Sequence, residues 1–67
     1  MIKNKRFSKH LTQENMADML GISLRQYVRI DNEVSFPRRD VLKKLIKILD
    51  FTDEELGRYV RNMANKS

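Results

Sequence analysis

"LTQENMADMLGIS", Leu11 to Ser23, decides how this chain is read. Thr12 is a good helix N-cap, because its hydroxyl can accept a hydrogen bond from an unpaired N–H of the first turn. Gln13 and Glu14 occupy that turn, and Met16, Ala17 and Leu20 recur at helical spacing. Gly21 ends the helix, since glycine adopts the left-handed conformation common past a helix C-terminus. Ser23 caps a new helix at once, with Gln26 three residues on to complete a capping box. Two helices, a short glycine turn, and small Ala17 where they must approach make a helix-turn-helix pattern.

Working outward, the helix after Ser23 has two faces. Tyr27, Ile30 and Val34 recur at i, i+3, i+7 and mark its buried side, while Arg25, Arg29 and Asn32 share another. "EVSFPRR" is a loop holding the only proline. Upstream, a first helix is expected from about Ile2 to Lys9, ending at His10. Downstream, a fourth runs from Arg38 or Arg39 to Leu49, with Val41, Leu42, Leu45, Ile46, Ile48 and Leu49 in a wide apolar arc. Thr52 and Glu55 form another capping box, and the fifth helix runs to about Ala64 with Leu56, Tyr59, Val60 and Met63 on one side. No strand-like alternation persists, so the fold class is all-α, with five helices in a single small domain spanning 1–67.

Composition sets the function classes. Sixty-seven residues make a marginal core, and no cysteine is present to staple it. No apolar run approaches the roughly 20 residues of a membrane span, and the basic N-terminus lacks a signal peptide's apolar core. The reading is a cytosolic protein. Residues 1–47 hold 11 Lys/Arg against 5 Asp/Glu, whereas residues 48–67 hold 3 against 4. Positive charge confined to the first two thirds is what a polyanion-binding face would produce; a solvated basic surface is the alternative.

No enzyme constellation is visible. One histidine and no supporting nucleophile give no acyl-transfer set. Two isolated glycines build no phosphate-cradling GxxxxGK loop. "DFTDEE" has the wrong spacing for a calcium loop and reads as a helix start. No cofactor, metal or small-molecule ligand is expected.

From Arg6 through Leu56, the chain resembles the Cro/CI-type (XRE-type) helix-turn-helix proteins of phages and bacterial mobile elements. "RFSKHLTQ", "MLGIS", "RID" and "FP" followed by a helix carry the resemblance. It implies a lambda-repressor-like five-helix fold that binds operator DNA as a dimer, with helix three in the major groove. It also implies a bacterial or phage-infected cytoplasm.

By position, the resemblance assigns base reading to Leu24, Arg25, Gln26 and Arg29. Arginine pairs bidentately with guanine, glutamine with adenine, and an apolar side chain packs on a thymine methyl. Gln26 alternatively closes the capping box, Arg29 is alternatively a solvated charge, and Leu24 alternatively packs at the domain edge. Gln13 and Asn32 are expected on backbone phosphates, as are Arg38, Arg39 and Lys43 unless the two arginines only solubilise helix four. Lys3 and Lys5 are expected in solvent. Arg6 and Asp31 stand where the family commonly pairs arginine with glutamate, which implies a partly buried ion pair. The shorter aspartate would loosen it or bridge it through water.

Ile46, Leu49, Tyr59, Val60 and Met63 are the candidates for a homodimer contact, with closure of the monomer core as the competing use of helix four. With no second domain in the sequence, regulation would act through concentration, operator competition or a separate partner. The competing function is a protein-interaction module, an antitoxin or antagonist. Three departures concern the turns and core: Glu33 and His10 replace glycines usual in the family, and Tyr27 replaces a smaller aliphatic.

Overall fold

The computed structural model describes residues 1–65. Five helices follow in order: α1 (Ile2–Ser8), α2 (Gln13–Leu20), α3 (Leu24–Asp31), α4 (Arg39–Ile48) and α5 (Asp53–Asn65). All five expected helices form; most ends lie within about a residue of the sequence reading, as helix boundaries ordinarily do, but α3 stops at Asp31, three residues short of Val34. One core joins them, built on Ile2, Met16, Ala17, Leu20, Tyr27, Ile30, Val41, Leu45, Leu49 and Tyr59. Burying such a one-sided stripe from each helix is what drives short helices to form at all.

Capping sets where α2, α3 and α5 begin. Thr12 and Asn15, Ser23 and Gln26, and Thr52 and Glu55 each exchange side-chain and backbone hydrogen bonds of 3.0–3.1 Å. Helix α4 starts at Arg38 with no side-chain cap.

The first four helices end alike. The residue past each end is left-handed: His10 (φ 58°), Gly21 (φ 70°), Glu33 (φ 58°) and Asp50 (φ 52°). After α2, the Gly21 N–H donates to Asp18 O and the Ile22 N–H to Ala17 O, the paired bonds of a Schellman motif. The same pair recurs at His10–Leu11, Glu33–Val34 and Asp50–Phe51. Only one of these four positions is glycine. Reversals this tight impose the left-handed turn whatever the residue, at a cost glycine would avoid.

Glu33 has a compensating role. Its Oε2 accepts from the Met1 ammonium at 2.9 Å and from the Ile2 N–H at 3.3 Å, so it caps α1 from the far end of α3. The carboxylate sits where a helix N-terminus favours negative charge.

Four expectations are corrected here. Val34 lies beyond α3 and is 66% exposed, because the left-handed turn at Glu33 swings it off the buried face. Lys5 is half-buried: its Nζ bonds Glu55 Oε1 at 2.8 Å and lies 5.2 Å from the centre of the Phe51 ring, fastening α1 to α5. Leu49 and Tyr59, candidates for a dimer contact, are 1% and 0% exposed within one chain. Tyr59 is held between Phe36 and Phe51, with ring centres 5.3 and 5.7 Å away.

Candidate nucleic-acid interface

A buried polar cluster holds α3 in place. Arg6 Nε donates to Asp31 Oδ1 at 2.9 Å and Nη2 to Oδ2 at 3.1 Å, while Nη1 donates to the Leu11 carbonyl. Tyr27 Oη donates to Asp31 Oδ1 at 2.8 Å, and Gln13 Nε2 to Oδ2 at 3.1 Å. Both Asp31 oxygens therefore accept two bonds each, which satisfies a carboxylate with no water. Burial pushes the Asp31 carboxyl up, but the bonds from Arg6, Tyr27 and Gln13 outweigh it and hold the group below the usual carboxylate range. Hydrogen bonding to Asp31 likewise raises Arg6, and burial raises the Tyr27 phenol.

The ion pair is thus tighter than the shorter aspartate suggested. Tyr27 explains why: its hydroxyl reaches the same carboxylate one turn along α3 and steadies it. Gln13 acquires a structural role, since one amide hydrogen is committed to Asp31 and only the other remains for a phosphate.

With Tyr27, Ile30 and Asp31 turned inward, Leu24, Arg25, Gln26 and Arg29 are left outside on α3. Leu24 is 44% exposed, which removes it from the core. Asn32 is exposed just past the helix. Ser23 N–H donates to Gln26 Oε1 at 3.1 Å, so the capping-box role of Gln26 is realised. Reading adenine bidentately would need the same oxygen as an acceptor, so base and cap would share its two lone pairs.

Arg38 shares a cleft with Gln26 and Arg29, so the loop before α4 brings its cation beside α3. Arg39 and Lys43 follow on the exposed side of α4, one turn apart. Among the described residues, none of Arg25, Arg29, Arg38, Arg39 or Lys43 has an acidic partner. The N-terminal cations differ: Lys5, Arg6 and Lys9 are paired with Glu55, Asp31 and Asp50. Positive charge free to meet an anion therefore includes the whole α3–α4 set.

Of the remaining dimer candidates, Val60 is 43% exposed, while Ile46 and Met63 are half-buried. Val34 and Phe36, which the sequence reading placed respectively in the core and in a loop, add exposed apolar surface. No helix among the described residues is long and apolar enough to cross a membrane, and no cluster of His, Asp or Glu there could hold a metal ion.

Comparison with curated proteins and with solved structures found no match. A family model described as "Helix-turn-helix" matches residues 2–56, from the first residue of α1 into the first turn of α5. That span contains the α2–Gly21–α3 unit, the Arg6–Asp31 pair and the α3–α4 cations. The chain belongs to the Cro/CI-type (XRE) helix-turn-helix family of DNA-binding transcription regulators.

Proposed function

We propose that this chain is a Cro-like repressor that binds a near-palindromic DNA operator as a homodimer, with α3 in the major groove. The observation that carries the reading is the outer face of α3, where Arg25 and Arg29 are exposed with no acidic partner among the described residues, and Arg29 shares a cleft with Arg38. Leu24, Arg25 and Arg29 read base edges, and Gln26 contributes through its amide N–H while its oxygen stays in the cap. Arg38, Arg39, Lys43 and Asn32 hold flanking phosphates, joined by Gln13 through its free amide hydrogen. Phosphate contacts set position and base contacts set sequence.

A near-palindromic site takes two copies, one for each half-site. Successive half-sites on one side of a duplex lie about 34 Å apart. The longest dimension of the chain is 27 Å. The apolar side chains left outside the core, Val60 with Val34, and the half-buried Ile46 and Met63, supply the dimer contact. Such a protein represses by occupying the operator and blocking polymerase.

Exposed Phe7, at 61%, gives the interaction-module reading its one specific support, since an apolar ring on α1 would suit a protein partner. Selection of bound duplexes from a random pool separates the two. The expected result is a near-palindrome with half-sites one helical turn apart, bound with steep salt dependence. No enriched sequence, and affinity no better than the non-specific range of about 10⁻⁴–10⁻⁶ M, would sink the repressor.

A further inference from the structure

A cleft of about 290 Å³ lies between α3 and the loop that leads into α4. Buried Ile30, Pro37 and Val41, half-buried Ile22 and the Phe36 ring give it apolar walls. Exposed Gln26, Arg29 and Arg38 also line it, and neither arginine has an acidic partner among the described residues.

DNA explains only half of this lining. Phosphates answer the two guanidiniums, but a sugar-phosphate backbone carries little apolar surface to cover Phe36, which is 43% exposed. Apolar walls with a few convergent polar groups, at a volume near the lower end of small-ligand pockets, are features of a small-molecule site. Two unpaired arginines select for an anion, because guanidinium holds a carboxylate through charge-assisted hydrogen bonds.

We propose that this cleft binds a small amphipathic monoanion, an aromatic acid, whose ring rests on Phe36 and whose acid group pairs with Arg29 and Arg38. An occupied cleft withdraws Gln26 and Arg29 from the bases and Arg38 from the backbone. Ligand and DNA then exclude one another, a consequence that rests on the DNA reading above. Release by a small acid would give the regulator a chemical input that needs no second domain. The cleft is assembled from residues 22 to 41 across α3, the loop and α4, so no local run of sequence announces it.

Indole-3-acetate is the probe, titrated into the ¹⁵N-labelled full chain, with uncharged indole-3-acetamide as control. Amide shifts are expected to concentrate on the cleft residues, and the acetamide should bind at least about tenfold more weakly. Phe36→Ala and Arg38→Gln should each weaken binding while helicity by circular dichroism is retained. Added indole-3-acetate should displace bound duplex. The site is overturned by the absence of shifts through about 10 mM acid, by shifts spread equally over Lys3 and Arg58, or by equal binding of the acetamide. Cleft binding without duplex displacement overturns the exclusion. Acid binding in a chain that retains no duplex at low salt means that the DNA reading has failed and the ligand site stands.

Discussion

Arg6 meets Asp31 side-on, with Nε–Oδ1 at 2.9 Å and Nη2–Oδ2 at 3.1 Å, and so ties the middle of α1 to the end of α3. Both side chains are buried. Parallel N–H···O bonds of this kind fix orientation as well as distance. The helix that presents Arg25 and Arg29 outward is therefore anchored at its inner face by a charge pair.

Arg6→Ala should lower stability by about 3–5 kcal/mol, because it strands a buried carboxylate. Urea denaturation followed by circular dichroism reads this directly. Replacing the buried set with apolar residues, Arg6→Met with Asp31→Leu and Tyr27→Phe, should cost less than Arg6→Ala alone. A change within about 0.5 kcal/mol for Arg6→Ala, as at ordinary surface sites, would remove the pair from the account.

The same carboxylate makes stability acid-sensitive. Asp31 is depressed in the folded state, so its contribution is full above the unfolded aspartate value of about 3.9 and is lost as pH falls through its lower folded value. Hydrogen bonding from Lys5 depresses Glu55, and from Lys9 depresses Asp50, with the same sign. Thermal midpoints should hold steady from neutrality to about pH 5 and fall below about pH 4. Asp31→Asn should start less stable yet fall less steeply; an unchanged acid limb would show that Asp31 does not titrate in this way.

Two buried tyrosines should respond oppositely to losing a hydroxyl. Tyr27 donates to a carboxylate, so Tyr27→Phe should cost about 1.5–3 kcal/mol. Tyr59 Oη is buried with no partner among the described residues, and burial pushes that phenol up to about 12. Tyr59→Phe should be neutral or stabilising, since it removes a polar group that folding leaves unsatisfied. Equal losses in the two variants, measured by chemical denaturation, would contradict the assignment.

The left-handed helix ends offer a graded test. His10→Gly should stabilise by up to about 1 kcal/mol, because the His10 side chain bonds to nothing among the described residues. Asp50→Gly should gain nearly as much, since the exposed Lys9–Asp50 pair is worth little. Glu33→Gly should gain less than either, because the same change removes the carboxylate that caps α1. Thermal melts of the three variants rank them, and a gain at Glu33 equal to that at His10 would mean the cap is idle.

On DNA, Arg25→Ala should relax preference at one base position at a cost of about 1–3 kcal/mol on the best site. Arg38→Ala should weaken all duplexes alike and reduce the salt slope by about 1. Salt titrations on the selected operator and on a scrambled duplex distinguish the two. Uniform weakening from Arg25→Ala would move that residue from base reading to backbone.

The helices were legible because their signals are local. Thr12, Ser23 and Thr52 cap within three residues, Gly21 reverses the chain in one, and Tyr27 and Ile30 repeat with the helix period. The same periodicity set Arg25, Arg29 and Asn32 on a separate face, while Leu24 and Gln26 joined the outward set only through the family resemblance. Val34 was misplaced because periodicity continues on paper past the turn that ends the helix.

What the sequence by itself determined is which residues share a helix and which face each helix buries, since caps and periodicity act over one or two turns. Tertiary packing decided the rest. Only the approach of α1 to α3 shows that Glu33 caps a helix 31 residues away, so that a glutamate is kept at a left-handed position. Only the return of α5 places Tyr59 between Phe36 and Phe51 and withdraws it, with Leu49, from any dimer surface. The cleft of Arg29, Phe36 and Arg38 exists because a loop and two helices converge. Contacts between distant segments depend on how the helices are stacked, and no local run of residues encodes that stacking.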